Sequence, residues 1–180
     1  MHGKWDSKRI KKEGVVKKLN NENQIQKKLY QAYSTYYKKE TAISFKNLEY
    51  FEMISYTVLQ EDDASNVNVK ICVGEAIDVL QKDNESAYAI IQAIFTHIAN
   101  DNKKYAFLIL DWYYDTGRVD NFTGSKIYDL QESNNDIHSF NIIVKNPHIH
   151  FVHNCRATCT NGHSENNTEY LYNEFFYIVV

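Results

Sequence analysis

The strongest constraint on this chain is a change of hydrophobic period. From residue 41 onward the apolar residues fall into ten short runs, many of them alternating, with polar clusters between them. Ile43/Phe45, Tyr50 to Leu59, Val67/Val69/Ile71/Val73 and Ile77/Val79 come first. Tyr88 to Phe95, Tyr105 to Tyr114 and Ile127 to Leu130 follow, then Phe140 to Val144, Ile149 to Val152 and Tyr170 to Val180. A period near two is that of a strand, whose successive side chains point to opposite faces. The intervening stretches 61–66, 82–86, 100–104 and 132–136 are rich in Asn, Asp, Ser, Glu and Lys, the composition of turns. No helical segment alternates with these strands, so the pattern predicts a mainly β fold, a distorted antiparallel β-barrel, rather than a parallel α/β sheet.

Before residue 41 the period differs. Ile25, Leu29, Tyr33, Tyr36 and Tyr37 recur every three or four residues among Gln and Lys, which predicts an amphipathic helix whose apolar stripe must dock on the β body. The organisation expected is therefore a basic arm with this helix over residues 1–40 and a barrel over residues 41–180. At 180 residues and 43% hydrophobic composition one core is enough. Its 14 Tyr and 9 Phe suit half-buried strand surfaces.

Charge separates the same two parts. Residues 1–40 hold 11 Lys and Arg against 4 Asp and Glu, leaving 9 against 19 for the remainder of a chain whose net charge is −3. Lys8, Arg9, Lys11, Lys12, Lys17 and Lys18 make the arm a candidate contact for nucleic-acid phosphate, whereas the acidic body suits a basic peptide. The same charges also serve solubility. No run of 18 uncharged apolar residues and no apolar leader stands in the sequence, so an intracellular protein with no membrane partner is expected. The abrupt apolar ending at Val180 suggests that the natural chain continues.

Gly74-Glu75, then Ala89-Ile90-Ile91-Gln92-Ala93-Ile94-Phe95, then Leu110-Asp111-Trp112-Tyr113-Tyr114 stand in an order that resembles the bromo-adjacent homology (BAH) domain, over about residues 67–180. The resemblance implies a non-enzymatic, nuclear chromatin module that binds a basic peptide such as a histone tail, with no small-molecule substrate. It carries the family's aromatic cage to Trp112 and Tyr114, which alternation puts on one strand face. Asp111, Asp115 and Asp120 would add attraction for a basic tail. The third cage position falls on Ala87; the tyrosine stands one place along, at Tyr88, and should point to the opposite face. Tyr88, Tyr113, Phe122 or Tyr128 would then have to supply the third wall. Paired strand aromatics also arise simply from packing.

His153, Cys155, Cys159 and His163 form a compact His-x-Cys-x3-Cys-x3-His set, the N/S donors that a structural zinc would use. The same residues read equally as a strand-end histidine and ordinary thiols. His148 and His150, flanking Pro147 in order, are expected to be surface imidazoles. A Cys155 or Cys159 nucleophile served by His153 lacks any recognisable local signature, and phosphate loops and nucleophile elbows are absent from the sequence. The leading expectation is a basic-peptide module. The alternative is a nucleic-acid-associated protein, of mobile-element origin in one reading, that binds DNA through its arm.

Overall fold

The computed structural model describes residues 22–38, 48–59, 66–80, 86–133, 136–155 and 168–174. The lysine-rich segment 1–21, with Lys8, Arg9, Lys11, Lys12, Lys17 and Lys18, lies outside them. Among the described residues one helix, α1 (Glu22–Tyr37), precedes eleven strands: β1 (Leu48–Phe51), β2 (Met53–Leu59), β3 (Asn66–Cys72), β4 (Ala76–Leu80), β5 (Ser86–Ile98), β6 (Lys104–Val119), β7 (Lys126–Gln131), β8 (Ile137–Ser139), β9 (Ile143–His148), β10 (Phe151–His153) and β11 (Glu169–Tyr172). A 3-10 turn, Phe140–Ile142, separates β8 from β9. The mainly β, antiparallel, curled architecture matches the expectation from the period.

The long β5–β6 hairpin is the frame. Its order with its neighbours is β10-β11-β7-β6-β5-β4-β9; β1 pairs with β5 and β8 with β6, while β2 and β3 form a separate two-stranded sheet. The two ends of that order, β9 and β10, are consecutive in the chain, joined by Ile149 and His150 alone. Laid flat, six strand spacings would separate them by roughly 29 Å. The three peptide steps from His148 to Phe151 span at most about 11 Å. The sheet must therefore curl until the end of β9 and the start of β10 come close, the curvature of a half-closed β-barrel.

Both faces of the hairpin are buried. Register slips by one residue at Gln92, between the pairs Ile91↔Leu110 and Ala93↔Ile109. That bulge switches which β5 side chains face which way. One face carries Ala89, Ile91, Ile94, Ala106, Leu108 and Leu110, packed with Ile54, Tyr56, Val69 and Ile71 of β2 and β3 and with Ile77 and Val79 of β4. The other carries Ala93, Phe95, Phe107 and Ile109 beneath Ile25, Leu29, Ala32 and Tyr33 of α1. The apolar stripe of the helix thus docks on the sheet as its spacing demanded. Burial on two sides explains why Tyr105 to Tyr113 reads as an almost unbroken apolar run.

Three helix hydroxyls fix the docking. Tyr33 Oη lies 2.8 Å from His97 Nδ1, Tyr36 Oη 2.9 Å from His138 Nδ1, and Tyr37 Oη 2.8 Å from Ser139 Oγ. Lys38, at φ 50°, ends the helix in the left-handed conformation that commonly stops one.

Candidate functional site

Tyr113 follows the helix-facing residues along β6, on the same face as Phe107 and Ile109. The register pairs it with Tyr88 of β5 and Leu130 of β7. Where the chain crosses between the sheet edges, Phe151 is laid flat on Tyr113, ring centroids 3.9 Å apart and planes within 10°. Tyr170 meets Tyr113 edge-on at 5.4 Å. Tyr88 stacks on Tyr172 at 5.1 Å and also touches Tyr128 and Phe151. Six rings from five strands thus gather at this end of the sheet.

A cavity of about 500 Å³ opens beside them, lined by Gly74, Glu75, Ala76, Ile90, Tyr113, His148, Ile149, His150, Phe151 and Tyr170. Its acidic wall is set by the turn between β3 and β4. Gly74 takes φ +89°, a conformation closed to most side chains, and its N–H donates to the Ile91 carbonyl at 2.8 Å. Glu75 follows; its Oε2 accepts the Cys72 backbone N–H at 2.8 Å, which fixes the carboxylate. Among the described residues no Lys or Arg pairs with it. Burial, with Tyr170 and Asp111 nearby, pushes the Tyr113 phenol well above its usual range, so it stays a protonated donor.

The residues expected to form the peptide site do not come together. Trp112 pairs with Ala89 and Tyr113 with Tyr88, so Trp112 and Tyr88 occupy opposite sheet faces, as the one-place offset of Tyr88 foretold. Trp112 is half-buried at the margin of the core, its ring edge-on to His138 at 5.3 Å. Tyr114, two places along, is 50% exposed. Asp111 turns inward, buried, where its Oδ1 accepts the Ser133 N–H at 2.8 Å. Asp115 is exposed, held by the Gly117 N–H at 2.8 Å and by Lys126 at 3.7 Å. His148 and His150, expected on the open surface, are half-buried and line the cavity because β9 must cross to β10 there. Tyr113 was among the residues expected to supply a third wall; Phe151 and Tyr170 were legible only as strand aromatics. Gly74-Glu75 stood out in the sequence as part of the BAH resemblance, not as a binding wall.

His153 and Cys155 meet beyond the rings, Nδ1 to Sγ 2.9 Å, and His153 lies edge-on to Tyr170 at 5.2 Å. Cys159 and His163 lie outside the described residues, among which no group of three or more His, Cys, Asp or Glu is placed to hold a metal. A tetrahedral zinc with ordinary bond lengths would hold the nitrogen and sulfur about 3.5 Å apart, so the pair would have to open slightly to ligate one. No described helix is long and apolar enough to cross a membrane. Neither a family model nor a curated protein matches the chain.

Proposed function

We propose that this chain is a non-enzymatic protein-interaction module of BAH type that binds a basic peptide such as a histone tail. In this reading a cationic side chain of the peptide enters the cavity bounded by Tyr113, Phe151, Tyr170 and Glu75. The observation that carries the proposal is the pinned Glu75 carboxylate, without a cationic partner among the described residues, at the edge of an aromatic wall. Ring faces attract a desolvated cation by roughly 0.5–2 kcal/mol each, and a fixed carboxylate supplies direction as well as charge. The excess of acidic over basic residues beyond residue 40 adds longer-range attraction for a basic tail.

The test is binding of a fluorescent lysine-rich peptide to the full chain at low salt. Glu75→Gln keeps an acceptor for the Cys72 N–H but removes the charge, and should weaken binding about tenfold, equivalent to about 1.4 kcal/mol. Tyr170→Ala should weaken it comparably. Unchanged affinity in a folded Glu75→Gln protein would dispose of the site. The alternative, DNA contact through Lys8 to Lys18, rests on residues outside the described structure, and nothing described favours it.

A further inference from the structure

The rings beside the cavity are occupied with one another. Tyr113 is 7% exposed, and Phe151 lies flat on it with ring centroids 3.9 Å apart. Tyr88 and Tyr128 stand against Phe151 in turn, at 5.8 and 5.2 Å and at steep angles. Tyr170 is steeply inclined to both Tyr113 at 5.4 Å and His153 at 5.2 Å. A site for a methylated ammonium works differently. A quaternary ammonium has no N–H, so several rings must turn open faces to it and enclose it. Here the aromatic residues pack into a wall that a cation can lie against, not a cage that surrounds it.

The acidic side of the cavity suits a cation that donates. Glu75 Oε2 accepts the Cys72 backbone N–H at 2.8 Å, and the Cys72 thiol bonds the same carboxylate. An ionised carboxylate has roughly four acceptor sites, so about half of its capacity remains for a ligand. At about 500 Å³ the cavity has room for an alkylammonium together with bound water. That suits the compact, strongly hydrated head of lysine.

We infer that this cavity selects an unmethylated lysine, and that methylation of that lysine to the quaternary form switches binding off. Selection of this kind rests on the basic-peptide reading above and adds to it the state of the side chain that is read. A primary ammonium brings three N–H donors, one of which can bond the Glu75 carboxylate while water takes the others. Trimethylation keeps the charge but removes every donor and holds the nitrogen away from the oxygen. Glu75 then faces methyl groups without a hydrogen bond, and the packed rings offer no enclosure in exchange.

The test compares one fluorescent lysine-rich peptide in three forms, binding to the full chain at low salt: unmodified, with every lysine trimethylated, and with every lysine acetylated. Trimethylation keeps all the charges and removes the donors, whereas acetylation removes the charges. Trimethylation should weaken binding about tenfold, the loss of one charge-assisted hydrogen bond, and acetylation should weaken it at least as much. In the Glu75→Gln protein the difference between the unmodified and trimethylated forms should shrink to about twofold or less, because a neutral amide bonds an ammonium only weakly. Equal or tighter binding of the trimethylated peptide by the wild-type chain would overturn the selection and leave the basic-peptide reading standing. An undiminished difference in a folded Glu75→Gln protein would overturn it too, since another group would then discriminate. Binding that survives acetylation, or no binding of any form, would remove the basic-peptide reading and the selection with it. Should the variant not fold, the wild-type comparison decides by itself.

Discussion

Phe151 covers Tyr113 face to face, 3.9 Å between ring centroids, although 37 positions separate them in sequence. The contact joins the strand that ends the edge-to-edge crossing to the middle of the longest strand. It builds one wall of the cavity and ties the sheet's closure to its frame. Phe151→Ala should cost about 2 kcal/mol, less than the 3–5 typical of a fully buried Phe because the ring is half-exposed. Urea unfolding followed by circular dichroism measures it. A loss below about 0.5 kcal/mol, the range of plain surface changes, would show that the stack contributes no closure.

Trp112 and Tyr114 share a strand face but not an environment, and their truncations should diverge. Trp112→Ala removes a ring packed at the core margin and against His138, and should destabilise by roughly 2–3 kcal/mol. Tyr114→Ala removes a ring half in water and should stay within about 0.5 kcal/mol. Comparable effects in thermal or urea unfolding would contradict this placement.

Alkali should unfold the protein early. Burial pushes the Tyr50, Tyr56 and Tyr128 phenols up to about 12, against an ordinary value near 10. A raised folded value means that the unfolded chain releases these protons first. The resulting stability is whole below about pH 10 and is lost as pH climbs toward about 12. Tyrosinate absorbance should therefore rise together with loss of near-ultraviolet circular dichroism. Gradual ionisation of an intact fold would contradict the burial.

The zinc set expected from the sequence, His153, Cys155, Cys159 and His163, has a direct readout. Protein prepared without chelator should carry about one zinc per chain, and Cys155→Ser should release it. Metal-free protein that retains the His153–Cys155 contact would reduce the pair to an imidazole-bonded thiol.

Local pattern made much of the fold legible. The three- and four-residue spacing from Ile25 to Tyr37 became α1, and the turn composition of 100–104 became the β5–β6 bend, where Asn102 takes φ 58°. What the sequence concealed was which strand face is which. One extra residue at Gln92 exchanges the faces of β5, and a bulge leaves no mark on hydropathy when both faces are buried. The cavity was hidden for a related reason. Glu75, Tyr113, Phe151 and Tyr170 come from four distant segments, and only the passage through Ile149 and His150 brings them together. Asp111 likewise read as a surface charge until its bond to the Ser133 N–H placed it inside.

That short passage also constrains the order of assembly. The β5–β6 hairpin needs only a five-residue bend and pairs locally, whereas β9 on β4 and β10 on β11 can coexist only once the strands between them have curved. Distant pairings of this kind are slow to form because the chain loses its freedom before contacts reward it. In pulse-labelled refolding, amides of β5 and β6 should acquire protection first and those of β9 and β10 last. Until then both margins of the sheet are open templates for another chain, so crowding a refolding mixture should convert late intermediates into aggregates, whereas the finished molecule has drawn those margins together.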